Sequence, residues 1–322
     1  MKSAVIAPPS ALHRLPQLPP PWPGRQVTVD GAVTFVRDTP TTAPGAQPAV
    51  YVHGLGGSAT NWTDVAGLLS HRLDGQAIDL PGFGYTDPAR RYSLAALADR
   101  VVRWIEVSGR GPVHLIGNSL GGAIVTRVAA LRPDLVRTLV LISPALPFLD
   151  PRRSVHGRLV PMVFLPGAAA LARRRLALIE PEELARQLLT ACFADPDRIL
   201  PQRLAEAAQE ARLRYDVPWY MDAYLRSLRG LVGSFVRAYL PGAGSLWRLA
   251  GRITAPTLVI GGARDRLVDP RVPQQVAGLI PDARLLMLPD VGHVAQLEVP
   301  ELTARAVIGL LDETGAAVPG GY

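Results

Sequence analysis

The chain has 322 residues, 48% of them apolar and 19% charged, and a formal net charge of +7. That length and composition support a sizeable core and exclude a disordered or fibrous chain. The positive charge is almost all arginine, scattered without interleaved aromatics, which excludes a nucleic-acid groove and leaves weak contact with anionic lipid surfaces open.

Cys192 is the only cysteine, so internal disulfides and cysteine metal clusters are excluded. No stretch has the ~18 consecutive apolar residues of a membrane span. The apolar run at 4–7 is too short for a signal-peptide core. A cytoplasmic protein is expected, at most peripheral to a membrane.

Residues 1–24 are proline-rich and read as an extended, poorly ordered arm. Strand patterns at 27–29 and 33–36 flank Asp30-Gly31, a hairpin signal. A short buried strand at 49–52 leads into His53-Gly54-Leu55-Gly56-Gly57. A helix at 61–69 follows, then a strand at 76–80 running into Asp79-Leu80-Pro81-Gly82-Phe83-Gly84. Leu94, Leu97, Val101 and Ile105 recur at helical spacing over 94–107, with Ser93 placed as N-cap. A strand at 113–116 enters Gly117-Asn118-Ser119-Leu120-Gly121, followed by a helix to Leu131 and a strand at 138–142. Much later, strands at 257–260 and 284–288 flank a helix near 270–280, and a helix at 300–311 closes the pattern.

Alternating strands and helices, with strands apolar on both faces, predict an α/β fold whose mostly parallel sheet is covered on both sides. The interruption at about 145–251 shows no strand pattern and reads as helices at 181–193, 202–213 and 217–240. Inserted just downstream of the serine turn, it predicts a lid. The expected organisation is an arm at 1–24, a core at 25–146 and 252–314, a helical cap at 147–251, and a flexible tail at 315–322.

Gly117-Asn118-Ser119-Leu120-Gly121 fits G-x-S-x-G between a strand and a helix, the context of a nucleophile elbow. A serine hydroxyl needs a base to take its proton and a third group to orient that base. His293 is the candidate base, in the turn Asp290-Val291-Gly292-His293 after a strand. Asp265 is the candidate orienting acid, also just past a strand. Asp269 reads instead as a helix cap, Asp290 as a turn former, and Asp150 is an alternative acid.

The oxyanion of an acyl-transfer intermediate needs two N–H donors. Leu120, after the serine, and Leu55, in the glycine-rich loop, are the candidates. That loop lacks the lysine of a phosphate-binding P-loop. His53 reads as a buttress of the loop, His114 as a satisfied core residue, and Cys192 as a small buried hydrophobe. No metal-ligand spacing is present, and neither metal nor cofactor is expected.

With these residues in place the chain resembles the α/β-hydrolase superfamily over about residues 26–311. Four signatures carry the resemblance: the 53–57 loop, the 79–84 run, the 117–122 elbow, and Gly292-His293 after Asp265. The chain order Ser119, Asp265, His293 is that of the family's triad. Within the superfamily it looks like a lid-bearing esterase or lipase. Asn118-Ser119 and the run 292–298 are also similar to meta-cleavage-product carbon–carbon hydrolases.

The resemblance implies a serine hydrolase acting on a small-molecule ester. Lid aromatics predict a hydrophobic acyl group, with Phe148, Phe164, Trp219, Tyr220 and Val294 as candidate substrate-binding residues. The rivals are carbon–carbon hydrolysis of a diketone acid and a non-catalytic receptor on the same fold. The run Arg173-Arg174-Arg175 is a solvated helix face or a contact for an anionic lipid or substrate carboxylate.

Overall fold

The computed structural model describes residues 1–15, 17–148, 160–240 and 245–315. Nine strands form a single sheet: β1 (Lys2–Ser3), β2 (Gly24–Val29), β3 (Ala32–Asp38), β4 (Gln47–Val52), β5 (Leu73–Ile78), β6 (Val113–Asn118), β7 (Val136–Ile142), β8 (Thr257–Gly262) and β9 (Ala283–Leu288). Their spatial order is β1-β9-β8-β7-β6-β4-β5-β3-β2. β3 pairs antiparallel with β2 and with β5, and every other pairing is parallel. The β2–β3 hairpin turns through Asp30 (φ 52°) and Gly31 (φ 78°), the positive-φ pair that suits the twist of a two-residue hairpin.

Helices cover both faces. One face carries α2 (Leu94–Ser108), α3 (Leu120–Leu131), α9 (Leu246–Ala250) and α10 (Val272–Leu279), and the other carries α1 (Thr63–Leu68) and α12 (Pro300–Glu313). Side chains alternate between the two layers with the period of a strand. Val50 and Val52 of β4 pack under α2 and α3, whereas Ala49 and Tyr51 pack under α1 and α12. This two-sided burial is why the central strands read as unbroken apolar runs.

Between β7 and β8 lie α4 (Val160–Val163), α5 (Ala168–Leu176), α6 (Pro181–Cys192), α7 (Pro201–Asp216) and α8 (Tyr220–Arg237), with no strand among the described residues there. Two polar seams tie α7 to the core. The Arg203 guanidinium grips both carboxylate oxygens of Asp64 on α1, at 3.0 and 2.5 Å. Glu210 Oε1 accepts the hydroxyls of Ser58 and Thr60, each at 2.5 Å, just past the 53–57 loop.

Several expectations need correction. The first residues of the expected 1–24 arm are not loose. β1 extends the sheet beside β9, Ala7 is buried, and the Ala7 N–H donates to the Arg305 carbonyl at 3.1 Å while Arg305 Nε returns a bond to the Ala7 carbonyl at 2.6 Å. An open sheet edge gains a partner this way. Helix α9, inside the 147–251 span assigned to the cap, belongs to the core layer, because Leu246, Leu249 and Ala250 are buried with α3 and α10. β5 ends at Ile78, not at residue 80, because the Leu80 N–H bonds a side chain, His53, in place of a strand. Of the predicted tail, residues 316–322 lie outside the described residues, as does Asp150. No helix among the described residues is long and apolar enough to cross a membrane.

Candidate active site

β6 runs straight into Ser119, whose backbone is bent to φ 55°, ψ −117°. A non-glycine residue there stores on the order of 1–3 kcal/mol of strain. The turn is pinned on both sides: Ser119 N–H donates to the Ile142 carbonyl at 3.0 Å, and the Ser119 carbonyl accepts from Ala145 at 2.9 Å and Ala123 at 3.0 Å. The glycines of the motif answer to space. A Cβ on Gly121 would sit 2.2 Å from the Val52 carbonyl oxygen, and one on Gly117 would sit 2.7 Å from the Gly121 backbone. The strand end, the helix start and the neighbouring loop are therefore in backbone contact.

That neighbouring loop is residues 53–57. Gly57 N–H closes a turn on the Gly54 carbonyl at 3.1 Å, with Gly56 at φ 75°, a conformation glycine adopts without a Cβ penalty. The loop abuts the serine, since a Cβ on Gly54 would lie 3.1 Å from Ser119 Cβ. Leu55 is the second residue of this turn. Leu120 is the first residue of α3, where an N–H has no carbonyl partner within its own helix.

His53 holds the loop from inside. Leu80 N–H donates to His53 Nε2 at 2.9 Å, so the imidazole proton sits on Nδ1, which donates to the Gly54 carbonyl at 2.7 Å. Burial pushes its pKa down to about 4, so the ring is a neutral structural link between two loops.

His293 and Asp265 arrive from the ends of β9 and β8. The imidazole Nδ1 bonds Asp265 Oδ2 at 2.8 Å, with both residues buried. The other carboxylate oxygen accepts the N–H groups of Leu267 at 2.8 Å and Val268 at 3.0 Å, so Asp265 is aimed by its own turn. Asn118 joins the two halves of the site: its side-chain amide donates to the carbonyls of Ile142 and His293, each at 3.1 Å. The residue before the serine thus holds the backbone of the histidine.

The rival acids are engaged elsewhere. Asp269 is buried against Arg271 at 2.7 Å, and Asp290 pairs with Arg264 at 2.8 Å. His114 is a satisfied core residue, bonded to Thr138 at 2.7 Å and Gln47 at 2.8 Å, with its pKa pushed down to about 4 by burial.

Sequence reasoning missed the residue that secures the histidine turn. Glu298, at the end of α11 (Ala295–Glu298), is fully enclosed. Its carboxylate accepts Gly292 N–H at 2.7 Å, Ala194 and Asp195 N–H at 3.1 Å, and a proton of Arg198 at 3.3 Å. Residues 194–198 follow α6, so one carboxylate binds the histidine turn to the cap. The Cys192 carbonyl completes the junction by accepting His293 N–H at 2.7 Å. Burial, with the nearby charge of Asp265, pushes the Cys192 thiol up to about 12, so it stays protonated. The run 292–298 contains Glu298 and Gly292, but its cap partners lie about 100 positions away in sequence and only the fold reveals them.

The candidate substrate residues divide. Val294 is buried beside His293. Tyr220 is buried edge-on to Phe83, and Tyr224, one turn along α8, lies over Gly56 of the loop. Phe148 packs on Phe235 of α8 at 5.5 Å between ring centres. Trp219 and Phe164 are not enclosed; they are 38% and 53% exposed. A narrow cleft, with room for little more than water, opens at the cap–core seam, walled by Gly57, Ser58, Tyr85, Glu210, Arg214 and Tyr220, with Ser119, Asp265 and His293 outside it.

Residues 48–300 match the family model described as the alpha/beta hydrolase fold. The chain is 29% identical, over 83% of its length, to the dihydrolipoyllysine-residue acetyltransferase component of the acetoin cleaving system of Pseudomonas putida. It spans 64%, 12% and 60% of the length of the first three curated relatives it matches. It is 26% identical to monoacylglycerol lipase ABHD6 of Homo sapiens, covering 83% of this chain and 76% of that one. It is 28% identical to 2-hydroxy-6-oxo-6-(2'-aminophenyl)hexa-2,4-dienoic acid hydrolase of Metapseudomonas resinovorans, covering 82% of this chain and 84% of that one. Among solved structures it superposes on a bacterial membrane phospholipase A with a TM-score of 0.74 at 24% identity, covering 92% and 88% of the two chains. With its sheet order, its strained serine turn and a family match running almost from β4 to α12, the chain belongs to the alpha/beta hydrolase fold family.

Proposed function

We propose that the chain is a serine hydrolase that cleaves carboxylic esters with a hydrophobic acyl group through an acyl-enzyme. The observation that carries this reading is the buried 2.8 Å bond from His293 to Asp265, on a loop bonded through Asn118 to the strained serine turn. Similarity to a lipase and the aromatic lining of the cap favour a hydrophobic ester.

Ser119 Oγ attacks the ester carbonyl while Nε2 of His293 takes its proton. Asp265 keeps the proton of Nδ1 in place and stabilises the imidazolium that forms. The N–H groups of Leu55 and Leu120 hold the oxyanion, each supplying about 10²–10³ in rate. His293 then gives its proton to the departing alkoxide, and water, deprotonated by the same imidazole, releases the acid and restores Ser119. No cofactor enters the cycle.

A second reading, hydrolysis of a carbon–carbon bond in a diketone acid, draws on the hexadienoic acid hydrolase similarity and on Arg214. This arginine lies on the wall of the seam cleft, 5.5 Å from the Tyr220 ring centre and 3.5 Å from Glu210, so a substrate carboxylate would share it with that side chain.

Nitrophenyl esters of rising chain length, run beside a ring-cleavage product, separate the readings. Faster turnover of longer esters, and fluorophosphonate labelling abolished by Ser119→Ala, are the expected results. Faster turnover of the diketone acid would establish the second reading. Folded protein that neither labels nor turns over either substrate would overturn both and indicate a receptor.

A further inference from the structure

Large apolar side chains are left in solvent mainly on the cap. Of the 19 such residues among the described ones, 12 fall between Met162 and Leu240. Six mark out the outer surface. Met162, Phe164, Leu165 and Leu171, on α4, α5 and their connection, are 45–55% exposed. Val236, in the last turn of α8, and Leu240, three residues past its end, are 58% and 53% exposed. These elements form a continuous region. α4 and α5 pack on α8, and Arg229 of α8 donates to the Val163 carbonyl at 2.8 Å. Val236 lies seven residues further along α8, about 10 Å away by helical rise. An exposed apolar patch of this kind marks a docking surface.

Charge identifies the partner. Arg173, Arg174, Arg175 and Arg237 are exposed within the same region. The sequence has no aspartate or glutamate from 151 to 179, or from 223 to 264, while arginines recur through both stretches. A second copy docked on this face would oppose arginine to arginine. An anionic bilayer instead accepts the apolar side chains in its acyl boundary and the guanidinium groups among its headgroups.

We infer that the outer face of α4, α5 and the end of α8 docks the protein on anionic membrane surfaces. This deepens the ester-hydrolase reading, on which it rests only for its purpose: the substrate is a lipid ester taken from the bilayer. The geometry links the two, because the inner side of α8 carries Tyr224 over the Gly56 loop beside Ser119.

Docking is read without turnover by floating the Ser119→Ala protein with phosphatidylcholine vesicles, with and without phosphatidylglycerol. The protein is expected to float with the anionic vesicles and to be released as salt rises. Arg173→Gln, Arg174→Gln and Arg175→Gln together should lower partitioning about 100-fold. Met162→Ser with Leu165→Ser should lower it about 10-fold or more. Both variants should keep native circular dichroism and, with Ser119 restored, hydrolysis of a short soluble ester. Three results would overturn the proposal: no flotation with anionic vesicles at low salt, binding indifferent to both variants, or a solution dimer that the same substitutions dissociate. Loss of ester hydrolysis with flotation intact would count against the reaction and not against the docking face.

Discussion

The carboxylate of Glu298 accepts the N–H of Gly292 at 2.7 Å, one residue before the imidazole of His293. The same carboxylate holds Ala194, Asp195 and Arg198 of the cap, so the position of the imidazole and the seating of the cap share one support.

Glu298→Gln keeps the shape but turns an amide NH₂ toward N–H donors that need an acceptor. Leaving one buried donor unpaired costs about 1–3 kcal/mol. We expect a loss of that size in thermal unfolding and a roughly tenfold fall in kcat with KM little changed. Unchanged kcat in a destabilised variant would limit Glu298 to a structural role.

Asp265→Asn leaves the site's shape but favours the wrong imidazole tautomer. The expected loss is about 10⁴ in kcat. Asp290→Asn, which removes only an exposed pair with Arg264, should stay within about twofold of the parent, since such pairs contribute less than about 1 kcal/mol. The reverse ranking in ester kinetics would reassign the orienting acid.

Ser119→Gly should abolish hydrolysis while raising stability relative to Ser119→Ala. Glycine accepts a φ of 55° freely, which relieves part of the strain and outweighs its larger chain entropy by roughly 1 kcal/mol. The readout is a melting temperature about 2 °C higher than that of Ser119→Ala. Equal or lower values would mean that the turn stores no strain.

Burial depresses both His53 and His114 from 6.5 to about 4. The unfolded chain therefore takes up protons first as pH falls. Stability from these two groups is complete above pH ~6.5 and is lost on approach to pH ~4. Asp79, raised by burial from 3.8 to about 7, binds its proton in the native state first and offsets roughly one histidine. His114→Gln should flatten the acid loss by about 1.4 kcal/mol per pH unit. Parallel stability–pH curves for variant and parent between pH 4.5 and 6.5 would refute this assignment.

The alternation of strands and helices, the serine turn and the glycine-rich loop were all legible in the chain. Each is a local property, set by hydrophobic period or by a backbone angle that particular residues must adopt. Ser93 was legible as a cap for the same reason, and it accepts the Ala96 N–H at 3.2 Å.

The remainder depended on partners remote in sequence. A two-residue strand such as β1 has no period of its own; it exists because β9 offers an edge. Helix α9 reads as part of the insertion and joins the core because α3 and α10 leave an apolar surface for it. Glu298 and Asn118 look like ordinary polar residues until the fold places carbonyls and N–H groups around them. The sequence by itself determined which groups are candidates for chemistry. The tertiary structure decided which of them meet, because a buried polar group stays where its hydrogen bonds are satisfied, and those partners come from distant segments.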